Sequence, residues 1–296
     1  MNHATRQRQA PQGMTAITAW TAAFLAVLAA CGGDQDDGGA PGAGGTNDPA
    51  SSSVTASVGG NASSAGGSAG SATSAGGAAG HGGGDPLFFE EQDGLVAVEA
   101  ESFVSHDNLG TPRDWLLTTL TIDPNIEPDP DPPHADGASG QACLEALPDT
   151  RVTHDDAITS GENFFPNAGE GATLSYRIWF HAAGTYVVWV RAYSTGTEDN
   201  GIHVGIDGSW PESGERVQFC DGKNKWTWSS AQRDSAGPCG NNGTITIDVD
   251  TPGEHLITFS MREDGFEFDK FVMAEQQSQA NYKPQDAGPP EQLYVP

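Results

Sequence analysis

The sequence predicts an all-β domain, an antiparallel β-sandwich of the jelly-roll kind, over residues 86–275 of the 296-residue chain. Short segments that alternate apolar and polar side chains recur along this region, and turns containing Gly or Pro separate them. No segment in it shows the 3.6-residue apolar period of an amphipathic helix. Six or more such strands in about 190 residues are enough to build one two-layered sandwich around a single core.

The clearest strand pair lies in the middle of this region. Residues 174–180 alternate apolar and polar side chains, and the turn at 181–184 leads into a second strand over 185–193. This spacing predicts that the two strands form a hairpin. Further strands are predicted at 202–206, 244–249, 255–261 and 266–273.

The first 30 residues have the features of an export signal. They contain Arg6 and Arg8, no acidic residue, and an apolar run over 14–30 that is too short for a membrane span. Residues 27–31, VLAAC, resemble a bacterial lipobox, which predicts lipidation of Cys31 and attachment to the outer membrane. The alternative is an ordinary cleaved secretory peptide followed by a chance cysteine.

Composition separates the predicted domain from both of its flanks. Residues 31–85 are mostly Gly, Ala, Ser, Asn and Asp, which predicts a disordered tether, and residues 276–296 form a Pro- and Gln-rich tail. The formal net charge is −27, with only 13 Lys and Arg residues. This balance argues against a nucleic-acid partner and leaves a cation, a neutral sugar or a basic surface as ligands.

The segment 110–148 interrupts the strand pattern. Its Pro-rich part, 123–133, cannot donate regular ladder hydrogen bonds and is interpreted as a long solvated surface loop. The acids in this part lack the Gly and the terminal Glu of an EF-hand calcium loop.

Three cysteines remain once Cys31 is assigned to the lipid. Because export favours disulfides, we expect Cys220 and Cys239 to pair, which closes a loop over 221–238 and leaves Cys143 as a buried thiol. A closure of this size is worth about 3 kcal/mol in the chain-entropy model. The sequence leaves other pairings open.

Three acidic side chains predict a cation site where the two ends of the domain meet. Glu99 and Glu101 are two residues apart in a predicted strand and therefore share a face. Asp269 is in the last predicted strand, on the face opposite Phe266 and Phe268. Clustered carboxylates stay charged only when a cation or donors compensate them, and calcium takes 6–8 oxygen ligands. The alternative is a solvated acidic strand face.

Four segments carry a resemblance to a known family. Residues 96–101 (VAVEAE), 183–191 (AGTYVVWVR), 253–259 (GEHLITF) and 262–269 (REDGFEFD) are similar to galactose-binding-like β-sandwiches. They most resemble carbohydrate-binding modules of families 6 and 35 and the C-terminal domain of glycoside hydrolase family 115.

The resemblance has two consequences for the site. It implies a structural calcium ion held by Glu99, Glu101 and Asp269, and it places Asp264 where related modules have a polar sugar contact. The expected function is therefore non-catalytic binding of a polysaccharide or oligosaccharide by a monomeric, surface-anchored domain.

Sugar binding requires aromatic rings for the C–H faces of a pyranose and planar polar groups for its hydroxyls. The candidates are Trp226 and Trp228 in the predicted disulfide loop, Tyr193 at a strand end, and Asp199 and Asn200 in the loop that follows. For both tryptophans, packing within the loop is an equal alternative.

Two other classes of function remain open at this stage. A surface adhesin that binds a protein requires no further motif. A glycoside hydrolase requires a carboxylate pair, for which Glu198 and Glu263 are candidates together with Asp199 and Asp264. A polysaccharide lyase requires a base such as His203 beside an arginine or a metal.

Overall fold

The computed structural model describes residues 88–196, 198–233 and 240–295. Within these ranges the regular structure consists of thirteen strands and four short 3-10 helices. The strands are β1 (Phe89–Glu90), β2 (Leu95–Glu99), β3 (Ser105–Asp107), β4 (Asp114–Thr119), β5 (Ala142–Leu147), β6 (Thr173–Phe180), β7 (Gly184–Tyr193), β8 (Gly201–Ile206), β9 (Val217–Gln218), β10 (Thr227–Ser229), β11 (Thr246–Val249), β12 (Gly253–Met261) and β13 (Glu267–Glu275). The 3-10 helices are Ala100–Ser102, Ala135–Gly137, Ser139–Gln141 and Glu212–Gly214.

The strands form two sheets, as predicted for a β-sandwich. The first sheet has the order β1-β6-β12-β8-β9, with β3 also paired to β6. The second has the order β10-β7-β13-β5-β4, with β11 paired to β7 and β2 paired to β13. All described pairs are antiparallel except β1 with β6. The predicted fold class is confirmed.

The predicted hairpin between the strands at 174–180 and 185–193 is wrong. Both strands exist, but β6 pairs with β1, β3 and β12 in the first sheet, whereas β7 pairs with β10, β11 and β13 in the second. The turn at residues 181–183 therefore crosses from one sheet to the other. Alternation in the sequence identifies a strand's buried face, but it does not identify the neighbouring strand.

The last strand is the centre of the second sheet. Strand β13 pairs with β7 along one edge, and with β5 and then β2 along the other. Its register shifts between Phe268 and Lys270, which makes Asp269 the extra residue of a β-bulge. Phe268 before the bulge and Phe271 after it therefore both face the core, although they are three residues apart. Glu267, Asp269 and Lys270 are left on the outer face of the sheet.

The core lies between the two sheets, and a second apolar cluster lies on the outer face of the second sheet. This outer cluster contains Trp189 and Val272, and Trp228 and Tyr282 pack over it. Residues after β13 return along the sheet: Gln292 accepts a hydrogen bond from the backbone of Ala97 at 2.9 Å through its side chain. The segment predicted as a tail thus covers part of the sandwich.

Several sequence-based expectations fall on other parts of the chain. The signal peptide, Cys31, the tether and Cys239 lie outside the described residues, so lipidation and the Cys220–Cys239 bridge stay predictions. Cys143 is a buried free thiol, as expected. None of the described segments is a helix long and apolar enough to cross a bilayer.

Candidate functional site

The residues predicted to hold calcium gather around Ser139. The Ser139 backbone N–H donates to Asp269 Oδ1 at 2.6 Å, and its hydroxyl donates to Glu99 Oε1 at 2.8 Å. Glu101 approaches the neighbouring Gly140. One detail of the prediction is wrong: β2 ends at Glu99, and Glu101 lies in the following 3-10 helix rather than on the same strand face.

Basic side chains partly compensate this acidic group. Arg191 Nη1 lies 2.5 Å from Asp269 Oδ2, and Lys270 Nζ lies 2.6 Å from Glu99 Oε1. The Oε2 atoms of Glu99 and Glu101 are nevertheless buried without a hydrogen-bond partner. Burial, followed by repulsion from Glu99 and Asp269, raises the pKa of Glu101 to about 8. Burial likewise raises the pKa of Asp269 to about 6 against the opposing effect of Arg191.

Trp226 and Tyr193 form a half-buried aromatic pair beside residues 123–134, which are the Pro-rich stretch and the adjoining His134 and are called the Pro-rich loop below. Their ring centroids are 5.6 Å apart in an edge-to-face arrangement, and His134 stacks on Tyr193 at 3.7 Å. The Arg191 guanidinium lies over the Trp226 ring at 5.4 Å. Trp226 Nε1 donates to the backbone oxygen of His134 at 3.1 Å, which links the tryptophan to the loop.

Trp228 occupies a different environment from Trp226. It packs over the outer apolar cluster with Trp189, and its Nε1 donates to the backbone oxygen of Asp286 at 2.9 Å. Gly288 lies against its ring. Trp228 thus fixes the C-terminal segment to the sheet and is not joined to the Trp226–Tyr193 pair.

Asp199 and Asn200 are buried and organise their own loop. Asp199 accepts hydrogen bonds from the backbone N–H of Thr195 at 2.6 Å and from the Ser194 hydroxyl at 2.7 Å. The Asn200 side-chain oxygen accepts from the Gln218 side chain. These contacts hold the loop between β7 and β8 in shape.

Asp264 is fully buried in an ion pair. Its Oδ2 atom accepts from Arg113 Nε at 3.1 Å and Nη2 at 3.0 Å, and from the Thr150 backbone and hydroxyl, both at 2.8 Å. Asp264 Oδ1 is buried without a partner. In this arrangement the carboxylate joins the turn before β13 to the segment after β5.

A cleft of about 620 Å³ opens next to the Pro-rich loop. Its walls come from three segments: the loop itself, residues 152–155, and the loop after β7. Asp131 contributes to one wall, and Thr195 and Gly196 contribute to another. The loop that Asp199 organises therefore borders a cavity of the size that ligand sites have.

A second acidic group, not assigned from the sequence, lies under the Pro-rich loop. Glu145 and Glu267 are direct cross-strand neighbours in β5 and β13, and Tyr193 pairs with Glu267 on its other side. His134 Nδ1 lies 2.6 Å from Glu267 Oε1 and 3.6 Å from Asp131 Oδ2. The Pro-rich loop, which the sequence predicts to be solvated, thus places Asp131 and His134 against the sheet.

Burial dominates the electrostatics of this second group. It raises the pKa of Glu145 to about 10, with repulsion from Glu267 as the next cause. It also raises the pKa of Glu267 well above its usual value and that of Asp131 to about 6. The sequence contains one indication of this buried acidic group: Glu145 is the only charged residue in the apolar run of β5.

The residues considered for catalysis are engaged in structural contacts. Glu198 is 3% exposed and pairs with Arg151 and with His154 Nδ1, the latter at 2.5 Å. Glu263 pairs with Arg262 and accepts from the Asn200 backbone at 3.0 Å. His203 is completely buried, between the Phe165 carbonyl at 3.2 Å and the Arg216 N–H at 3.1 Å. All three side chains are buried.

Several known proteins are similar to this chain. An uncharacterized protein of Formosa agariphila, P23, is 50% identical over 205 residues, which are 69% of this chain and 48% of that protein. The chain thus spans about half the length of this curated relative. A family 35 carbohydrate-binding module from Clostridium thermocellum matches with a TM-score of 0.35 and 11% identity, covering 60% of this chain and 96% of that one.

The C-terminal CBM6 of LamC from Zobellia galactanivorans matches with a TM-score of 0.31 and 14% identity, over 61% of this chain and 99% of that one. The family model of the glycosyl hydrolase family 115 C-terminal domain matches residues 138–291, more than half of the sequence. The chain therefore belongs to the family of glycosyl hydrolase family 115 C-terminal domains.

Proposed function

We propose that this protein is a non-catalytic carbohydrate-binding β-sandwich. The observation that carries the proposal is the half-buried pair of Trp226 and Tyr193, which leaves part of both rings exposed to solvent. The pair does not line the cleft, but His134, which stacks on Tyr193, contacts Asp131 in the cleft wall. Aromatic rings flanked by hydrogen-bonding side chains suit the C–H faces and hydroxyl edges of a sugar. Membership in a family of glycosyl hydrolase domains supports a carbohydrate ligand.

The same proposal includes the cellular setting. A lipid on Cys31 and the low-complexity segment 31–85 would hold a monomeric sandwich at the outer membrane, facing the cell surface or the periplasm. A tether of this composition and length reaches roughly 40 Å. A polysaccharide or oligosaccharide near the membrane would then be within reach of the domain.

We further propose a structural calcium ion at Glu99, Glu101 and Asp269. The two buried Oε2 atoms without partners are the oxygen ligands that calcium prefers. Arg191 contacts Asp269 Oδ2 and Lys270 contacts Glu99 Oε1, so both basic groups would give up part of these contacts to the ion. The ion would join the 3-10 helix after β2 to the bulge of β13.

The test is a glycan array with the full chain, followed by titration of the best ligand. Trp226→Ala should weaken binding by about 1 to 3 kcal/mol, the range of buried aromatic anchors at interfaces. Trp228→Ala is the matched control, because it removes the same side chain two residues away. That control should lower stability by about 3 kcal/mol and leave the affinity of the folded protein unchanged.

Each contrary result has a defined meaning. Unchanged affinity in a folded Trp226→Ala variant would contradict the proposed site. Specific capture of a protein, with no glycan bound, would favour a surface adhesin. Release of reducing ends or unsaturated sugars from a bound polysaccharide would show that the domain is an enzyme.

A further inference from the structure

Five side chains from three segments converge under the Pro-rich loop on the outer face of the second sheet. Asp131, His134 and Glu267 each bring one ligand atom within 4.8 Å of the others. Asp129, Asp131 and Glu145 form a second such group, so the two groups share Asp131. The loop supplies three members, and strands β5 and β13 supply one each.

Glu145 gives an independent indication that something binds here. It is only 4% exposed, and within the described part of the chain no donor or basic group is bonded to its carboxylate. Asp129 Oδ1 is also buried without a hydrogen-bond partner. A buried carboxylate without a donor is strongly unfavourable, and both of these groups point into the cluster.

The charge balance of the cluster is one-sided. It contains four carboxylates, and the only basic side chain in ion-pair contact with them among the described residues is His134. Glu145 and Glu267 lie directly opposite each other on neighbouring strands, where like charges repel. In contrast, the acidic group at Glu99 and Asp269 has Lys270 and Arg191 beside it.

We propose that Asp131, His134, Glu145 and Glu267 bind one divalent transition-metal ion, with zinc as the best fit and with Asp129 beside it. One imidazole nitrogen combined with carboxylate oxygens suits zinc or manganese, whereas calcium and magnesium prefer oxygen ligands alone. The ion supplies the positive charge that the cluster lacks and gives Glu145 a partner.

The observed distances are close to those of a filled site. Ligand atoms around a tetrahedral zinc ion with bonds of about 2.1 Å are roughly 3.4 Å apart. His134 Nδ1 and Asp131 Oδ2 are 3.6 Å apart, and His134 Nδ1 and Glu267 Oε1 are 2.6 Å apart. Binding therefore requires the second pair to open by less than about 1 Å. Tyr193 stacks on the His134 ring and holds its orientation.

Metal binding at this position would fix the Pro-rich loop to the sheet. The loop receives the hydrogen bond of Trp226 through the His134 carbonyl, and Asp131 contributes to a wall of the cleft. The ion would thus shape one side of the carbohydrate site. This link to carbohydrate rests on the proposed function, whereas the metal site itself does not.

The test is calorimetric titration of the full chain with zinc chloride alone, after chelator treatment and desalting. We expect one high-affinity equivalent and a zinc-dependent rise in melting temperature. Glu145→Gln and His134→Gln should each weaken zinc binding at least tenfold. Asp136→Asn, on an exposed residue of the 3-10 helix that follows the loop, and Glu101→Gln, in the calcium group, should leave it unchanged.

A second measurement separates a metal ligand from a structural residue. In chelator, Glu145→Gln should melt no lower than the unmodified protein, because no described group donates a hydrogen bond to the Glu145 carboxyl and the amide therefore loses no contact. A lower melting temperature in chelator would assign Glu145 to the fold and overturn the proposal. It would also be overturned by zinc binding that the variants leave intact, or by calcium binding there without zinc binding. Normal glycan binding in chelator would refute only the proposal that the ion shapes one side of the carbohydrate site.

Discussion

Replacing Asp264 by asparagine tests whether this residue supports the fold or contacts a sugar. Asp264 is fully buried, and its Oδ2 atom accepts hydrogen bonds from both Arg113 and Thr150. The amide keeps the shape of the side chain but removes the charge that compensates Arg113, which is only 5% exposed. Loss of one partner of a buried ion pair costs about 3–5 kcal/mol.

We expect the Asp264→Asn variant to lose about 3 kcal/mol, because the amide oxygen can still accept part of the hydrogen bonding. Such a loss is a large share of the roughly 5–15 kcal/mol that stabilises a typical domain. Urea unfolding of the full chain at pH 7 measures it, and Asp155→Asn, at an exposed position, is the matched control.

A double-mutant cycle completes this test. Arg113→Met combined with Asp264→Asn removes both charges, so the double variant should lose less stability than the sum of the losses of Arg113→Met and Asp264→Asn alone. Glycan affinity of the folded Asp264→Asn protein should be unchanged. A variant that unfolds like the unmodified protein but loses glycan binding would refute the reasoning and return Asp264 to the sugar site.

Three further predictions concern other parts of the protein. Burial lowers the pKa of His203 to about 4. Between about pH 6.5 and 4, His203 is therefore protonated in the unfolded chain but neutral in the folded protein. Stability should therefore fall by about 3 kcal/mol as the pH falls through that window, and urea unfolding of His203→Asn should show a smaller fall. Calcium chelation should lower the melting temperature of the unmodified protein but not of Glu101→Gln; equal melting curves for the unmodified protein with and without calcium would exclude the ion. Cys31→Ser should abolish palmitate labelling and release the protein from the outer-membrane fraction, and unchanged labelling would refute the lipobox assignment.

The fold class could be predicted because a half-buried strand has a two-residue period that the sequence displays directly. The predicted alternation, with Phe266 and Phe268 facing the core and Glu267 facing outward, holds up to the bulge at Asp269. Beyond that point one extra residue reverses the pattern, so Phe271 faces the core. No local signal in the sequence marks a bulge of this kind, because the residue that forms it is an ordinary aspartate.

The candidate site was less predictable because its geometry depends on distant segments. Trp226 and Trp228 are two residues apart and equivalent in the sequence, yet one packs on the Pro-rich loop and the other on the C-terminal segment. The spacing of the acids within the Pro-rich loop excludes an EF-hand, but it does not identify partners elsewhere in the chain. The loop's partners, Glu145 and Glu267, come from two strands that are far away in the sequence.

The two acidic groups on β13 differ in what a bound ion would do. At Asp269, Arg191 and Lys270 already balance part of the charge, so the sandwich can form without an ion, and calcium would add stability to it. At Glu267, just two residues earlier, His134 is the only basic contact in the described structure, and it comes from a loop. The position of that loop therefore depends more strongly on a metal ion than the sandwich does. Removing zinc should loosen the Pro-rich loop while the sheets remain intact, and hydrogen exchange confined to residues 123–141 would distinguish this outcome from global destabilisation.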